Sequence, residues 1–255
     1  MAGHSKWANI KHRKAKQDKK RGKAWSKCSK AIMAAARAGG PDPDTNLGLR
    51  YAIDEAKYAN MPKDTIQRAI EKGAGSSGGE DFQALVYEGY GPGGTALIIE
   101  TLTDNNTRTV NEIRTIFKKW GGNLGTTGSV AFMFQTKGQV ILDAGKYDEE
   151  TVMEKALESG AEDIQAPEGA TEDEPGVWTV LTDPAGFLSV KDALEANGIE
   201  ITEAEIARIP DQSVVVRGDD ARKVLSLIDA LEDNDDVQKV YSNADIPAEE
   251  LAGME

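Results

Sequence analysis

Residues 139–165, QVILDAGKYDEETVMEKALESGAEDIQ, and residues 177–202, VWTVLTDPAGFLSVKDALEANGIEIT, decide the fold. In each block the hydrophobic period changes partway. Val140, Ile141 and Leu142 form a short apolar run of strand length, and helical spacing takes over across 149–158. Strands are expected around 163–165 and at 177–181, a helix at 187–196, and a last strand at 199–202. The order strand–helix–strand–strand–helix–strand is the split βαβ, ferredoxin-like plan.

The flanks of this block complete each other. Behind it come a strand at 213–217, a helix at 220–231 and a strand at 237–241, too few elements for a domain. Ahead of it, strands at 84–88 and 95–101 are joined by a turn from Gly89 to Gly94. A helix follows with Val110, Ile113, Ile116, Phe117 and Trp120, stopped by Gly121-Gly122, and then a strand at 130–134. Together the flanks are expected to form a second βαββαβ domain into which the first is inserted.

The remaining N-terminal region reads as helical. Trp25, Cys28, Ile32 and Ala36 share one helical face, and Gly39-Gly40-Pro41 ends that helix. Leu49, Ala52, Ile53 and Ala56 repeat the pattern behind Thr45 and Asn46, either of which suits an N-cap. Pro62 stands where a first helical residue belongs, and Ile66, Ala69 and Ile70 precede Gly73 as terminator. Residues 73–79 are a Gly/Ser linker. The expected class is α+β: a basic arm with a helical domain at 1–75, a discontinuous α/β domain at 80–136 plus 205–245, and an inserted, acidic ferredoxin-like domain at 137–204.

Charge is divided along the chain. The 255 residues carry a net −13. Residues 1–30 hold 11 Lys/Arg against the single Asp18, residues 31–75 are balanced, and the remainder therefore carries −23. The cations of the arm are Lys6, Lys11, Arg13, Lys14, Lys16, Lys19, Lys20, Arg21, Lys23, Lys27 and Lys30, with Trp7 and His12 interleaved. A phosphate backbone is recognised by many cations along a track, through counterion release, and Trp7 can stack on a base. The arm lacks an interleaved apolar face, so a membrane is not the expected surface. An acidic body repels phosphate and confines contact to the arm and the adjoining helices.

Other classes of function find little support. No apolar run reaches bilayer length, and no apolar stretch follows the basic N-terminus as in a secretory signal. One cysteine excludes an internal disulfide, and a reducing, cytoplasmic setting is expected. Cys28, His4 and His12 are too few for a zinc site. The segment from Glu88 to Thr95 is glycine-rich, but it lacks the Lys-Ser/Thr ending and following helix of a phosphate loop, so it reads as a hairpin turn. Residues 121–129 read as a helix cap with an irregular connection, and Arg108 as a structural hydrogen-bond donor. The acidic run 232–236 lacks the glycine of a calcium loop and reads as a solvated helix end. With no His in the acidic body, a Ser-His or Cys-His pair has no place there. No catalytic residues, metal, cofactor or small-molecule substrate are expected.

Residues 2–14 (AGHSKWANIKHRK), with Arg21-Gly22-Lys23, resemble the opening of the YebC/PmpR family. The resemblance continues through Asn60-Met61-Pro62-Lys63-Asp64, Tyr87 to Ala96, Thr103-Asp104-Asn105 and Gly121 to Gly125. It ends at Leu231-Glu232-Asp233 and Asp235 to Gln238, and so spans nearly the whole chain. It departs at Ser242, where relatives often have His, and at Trp25 and Cys28, which are less usual there. The resemblance implies a three-domain cytoplasmic bacterial protein with one helical and two α/β domains and no enzymatic activity or required cofactor. It also implies a role in gene expression. Members are described as DNA-binding transcriptional regulators and also as translation factors on ribosomes, relieving stalling at proline runs or activating organellar translation. The expected partner is nucleic acid: DNA on the first description, ribosomal or transfer RNA on the second.

Overall fold

The computed structural model describes residues 21–75, 81–167 and 175–252. Expectations for residues 1–20, most of the basic arm, and for 76–79 of the linker lie outside the described residues.

Helices α1 (Arg21–Gly39), α2 (Leu47–Tyr58) and α3 (Lys63–Ala74) pack around Cys28, Ile32, Ala36, Leu49, Ile66 and Ile70. Asn46, rather than Thr45, caps α2. Its side-chain oxygen accepts from the Leu49 amide at 3.1 Å, and its amide group donates to the Ala35 and Gly40 carbonyls, each at 2.8 Å. Pro62 is the N-cap of α3 rather than its first residue, a position its fixed φ also suits. Gly73 lies inside α3 and permits close approach to α1, since a Cβ there would sit 2.4 Å from the Met33 carbonyl oxygen.

The next unit begins with the hairpin β1 (Gln83–Tyr90) and β2 (Ala96–Thr103), paired from Gln83↔Thr103 to Tyr90↔Ala96. A 3₁₀ turn, Pro92–Gly94, makes the hairpin connection. Helix α4 (Asn106–Lys119), capped by Asn105, leads to the short β3 (Asn123–Leu124) on the free edge of β1. The strand expected at 130–134 is instead a 3₁₀ turn, Ala131–Met133, that feeds the following domain.

That domain runs through β4 (Phe134–Asp143), α5 (Glu149–Glu158), β5 (Asp163–Gln165), β6 (Val177–Thr182), α6 (Phe187–Ala196) and β7 (Glu203–Pro210). Its sheet has the order β5-β6-β4-β7, antiparallel throughout, which is the ferredoxin-like arrangement. Val140, Leu142, Val152, Val180, Phe187 and Leu194 form its core. The last strand lies later than expected. Ile199 and Ile201 are buried in the approach to it, and pairing with β4 starts at Ile141↔Glu203.

The chain then returns through β8 (Val214–Val215), α7 (Gly218–Glu232), β9 (Val237–Ser242), β10 (Ala244–Asp245) and α8 (Ala248–Ala252). Strand β9 pairs with β2, so segments from both sides of the inserted domain share one sheet of order β3-β1-β2-β9. Put β2, β3, β1 and β9 in place of β4, β5, β6 and β7, and the two sheets have the same order. One difference remains: β1 precedes β2 in the chain instead of following β3. The strand expected at 213–217 is therefore not needed in the main sheet, because β1 already holds that place. Only Val214–Val215 pairs there, in parallel with β10 in a separate two-stranded sheet.

Helices α4 and α7 cover one face of this sheet through Ile113, Phe117, Val224, Leu227, Ile228 and Leu231. Phe134 and Ala207 of the inserted domain pack with Ala96, Ile98 and Tyr241 to join the two sheets. Glycine at position 89 is required by this packing. A methyl there would lie 2.7 Å from the Phe117 ring and 2.8 Å from the Asn123 carbonyl oxygen. Gly89→Ala is expected to cost about 1–3 kcal/mol through overpacking. Gly22→Ala in α1, with nothing within 4 Å of the added methyl, should be neutral or stabilising by up to about 1 kcal/mol. Guanidinium unfolding of both variants checks the pair, and equal midpoints would contradict the assignment.

Candidate nucleic-acid interface

Helix α1 presents two faces. Trp25, Cys28, Ile32 and Ala36 turn to the helical core, while Lys23, Lys27 and Lys30 meet the C-terminal turn of α7. That turn exposes backbone carbonyls at the negative end of the helix dipole and adds a run of carboxylates. Lys23 donates to the Asp233 carbonyl and lies 3.6 Å from the carboxylates of both Asp233 and Asp235. Lys27 donates to the Glu232 carbonyl at 2.6 Å. Burial pushes its ammonium down to about 8, against the opposing pull of Glu232. Lys30 reaches the Asp235 carbonyl at 2.9 Å and the Asp236 carboxylate at 3.0 Å.

Asp236 is the centre of this contact. Arg108 donates to it at 2.7 Å, Thr109 at 2.7 Å, Thr103 at 3.2 Å and Lys30 at 3.0 Å. Burial alone would raise its carboxyl, but the bonds from Arg108, Thr109 and Lys30 outweigh that and bring it down to about 2. The run 232–236 is thus a receptor for cations of α1 and α4, not a solvated helix end. Sequence misses this because its partners lie more than a hundred residues away. Arg108 does make the structural bonds expected of it, to Asp236 and, at 2.7 Å, to Asp104.

The expected binding residues therefore separate into two groups. Lys23, Lys27 and Lys30 hold the root of the arm against the body. Lys6, Trp7, Lys11, His12, Arg13, Lys14, Lys16, Lys19 and Lys20 lie outside the described residues, and Arg21 opens α1. A polar groove of about 550 Å³ runs beside the arm's root, lined by Lys23, Lys30, Phe82, Arg108, Glu112 and Asp236, among others.

The glycine-rich segments form a clasp. Glu88, buried in β1, accepts from the amides of Gly128, Val130 and Ala131 at 2.7, 2.7 and 2.8 Å. Burial would raise its carboxyl, but the three amides hold it below the usual range. The amides that an anion would use are already bonded to this side chain. Trp25 donates its indole N–H to the Ala59 carbonyl at 2.9 Å. Burial, followed by the nearby Glu55, pushes the Cys28 thiol up to about 12, which leaves no reactive thiolate at neutral pH. Among the described residues no group of three or more His, Cys, Asp or Glu is placed to hold a metal ion. No described helix is long and apolar enough to cross a membrane.

A second ionic cluster, also missed by sequence reasoning, joins all three units around a cavity of about 130 Å³. Lys239 of β9 lies 2.6 Å from Glu205 of β7 and 3.5 Å from Glu55 of α2. Burial would lower its ammonium, yet Glu205 and Glu55 hold it well above the ordinary value. Beside it, Lys191 of α6 lies 3.3 Å from Asp54, and Arg50 lies 2.6 Å from Asp192.

Comparison with known proteins covers the whole of this architecture. Residues 5–76 match the family described as the TACO1/YebC protein N-terminal domain, and residues 82–244 match the TACO1/YebC second and third domain. A protein of Halothermothrix orenii named "probable transcriptional regulatory protein" is 54% identical over 254 residues, 98% of this chain and 97% of that one. One of Persephonella marina with the same name is 53% identical over 244 residues, 95% of each. The crystal structure of a conserved hypothetical protein from Aquifex aeolicus superposes with a TM-score of 0.81 at 44% identity, covering 90% of this chain and 92% of that one.

The Asp236 contact has a pH signature. Its carboxyl titrates near 2 in the fold and near the ordinary 3.8 when unfolded. Its contribution is thus complete above about pH 5 and lost as pH falls through 4 toward 2. With Arg108 partly open to solvent and screening the pair, this contribution is about 1–2 kcal/mol. Asp236→Asn should lower stability by about that amount at pH 7 and flatten the acid loss between pH 4 and 2. Chemical denaturation across that range is the check, and a variant with the wild-type pH slope would contradict the assignment.

Proposed function

This chain belongs to the TACO1/YebC family, and from that premise we propose that it regulates gene expression by gripping a nucleic-acid backbone with its basic N-terminal arm. The observation that carries this reading is the division of charge. Residues 1–30 hold a net +10 and residues 76–255 a net −23. The contacts of α1 refine it. Because Lys23, Lys27 and Lys30 are held by the turn after α7, the cations left for phosphate are those from Lys6 to Arg21. The body orients the molecule arm-first by repelling the same ligand.

DNA is the favoured target, because the relatives carry the name of probable transcriptional regulators. A second reading, a translation factor on ribosomal or transfer RNA, draws on the arm itself. It is rich in lysine, which suits following a backbone more than reading base edges. Neither reading calls for catalysis, and the buried, protonated Cys28 fits that.

Crosslinking in cells followed by sequencing separates the two targets. Promoter DNA without ribosomal RNA supports the first reading and sinks the second; ribosomal RNA without promoter DNA does the reverse. Deleting residues 1–20 should abolish binding while leaving the cooperative unfolding of the remainder intact. If six to ten phosphates are neutralised, affinity should fall ~1,000- to 100,000-fold between 50 and 200 mM salt. A flat salt response, or full binding without residues 1–20, would overturn the arm-driven mode.

A further inference from the structure

Thirteen lysines and arginines lie in residues 81–252. Nine of them sit in ion pairs with carboxylates. Four have no ion pair among the described residues, and three of these, Arg114, Lys118 and Lys119, fall within six residues on α4; the fourth is Arg222. A body carrying −23 offers a carboxylate to nine of these thirteen cations, so a cluster with none among the described residues stands apart. The single acid of α4, Glu112, leans away and accepts from the Asn234 amide at 2.7 Å. All three cations are exposed. Arg114 and Lys118, one turn apart, share a face. Arg114 donates to the Asn111 side chain at 3.2 Å, and Lys119 lies over the Trp120 ring at 5.1 Å.

The position of this cluster ties it to the arm. Lys30 of α1 and Arg108 of α4 share Asp236. Lys23, two residues past the start of α1, lines the same groove as Glu112. From Glu112 to Lys118 is about 9 Å along the helix. The arm therefore joins the body beside the start of a cationic track.

We propose that the exposed face of α4, carried by Arg114, Lys118 and Lys119, is a second contact for the phosphate backbone that the arm holds. The proposal rests on the arm reading above and extends it onto the folded body. It revises the expectation that the acidic body only repels nucleic acid: at this one face the body attracts it. Both duplex DNA and structured RNA offer the required ligand, a closely spaced row of phosphates.

The test uses the full chain and four proteins: wild type, Arg114→Gln/Lys118→Gln/Lys119→Gln, a deletion of residues 1–20, and Lys137→Gln/Lys146→Gln/Lys155→Gln. The last changes net charge equally but lies on the inserted domain. Affinity is read by fluorescence anisotropy with a 24-base-pair DNA duplex and a 24-base-pair RNA duplex from 50 to 200 mM salt. The α4 variant should bind about 10- to 100-fold more weakly and lower the slope of log affinity against log salt by about 2–3, and the charge-matched control should change neither by much. A loss with one duplex only identifies the source of the phosphates. If the α4 variant matches the control in affinity and slope, the α4 contact is overturned while the arm reading stands. If deleting residues 1–20 changes nothing, or wild type binds neither duplex, the arm reading falls and this extension with it. Unchanged thermal unfolding of the α4 variant excludes a folding defect as the cause of a loss.

Discussion

Asp236 is a buried carboxylate that could not remain charged without its neighbours, and its neighbours come from three elements. Burial of an ion is expensive unless the protein supplies several donors in good geometry. Thr103 closes β2, Arg108 and Thr109 open α4, and Lys30 sits in the middle of α1. Satisfying one anion thus fixes the N-terminal end of α4, the C-terminal end of α7 and the lie of the helical domain against both. The root of the basic arm is placed by the same bonds, since Lys23 and Lys27 grip the turn that holds Asp236.

The rest of the architecture follows from a sheet that must close around an insertion. The inserted ferredoxin-like domain leaves at Phe134 and returns at Pro210, and no strand after β3 takes the third place in the surrounding sheet. Strand β1 supplies it from the front. The hairpin then places the glycine-rich turn and the loop after α4 at one end of the sheet, where Glu88 clasps three amides. Segments whose composition suggests a phosphate loop are instead packing and hydrogen-bonding devices. Gly89 shows why glycine is needed, because the Phe117 ring occupies the space a side chain would take.

Electrostatics sorts the cations of the molecule by job. Those of the α/β units are mostly consumed by the acidic excess around them, and Lys239 and Lys191 bind the three units together at a shared cavity. The base of the arm is consumed too, at the α7 turn. Among the described residues Arg114, Lys118 and Lys119 of α4, Arg222 of α7 and Lys63, Arg68 and Lys72 of α3 have no carboxylate in ion-pair reach; the proposed phosphate contact falls to the arm and to α4. The net charge alone would predict a protein that avoids nucleic acid.

The sequence by itself determined most of the element types, the ferredoxin-like order of the inserted block, the helical N-terminal unit and the division of charge, because each is written in local periodicity or simple counting. The cores of the helices were legible for the same reason: Cys28, Ile32, Leu49 and Ile66 repeat at the period that buries them. Tertiary structure alone decided which segment fills the third strand of the outer sheet. The segments 213–217 and 83–90 look equally strand-like, and only pairing against β2 and β3 chooses between them. It also decided that Glu232 to Asp236 is a docking site and that Lys23, Lys27 and Lys30 are anchors. A charge has no sequence signature of its partner when that partner lies two hundred residues away, and for the same reason only the fold shows that three cations of α4 have no carboxylate partner among the described residues.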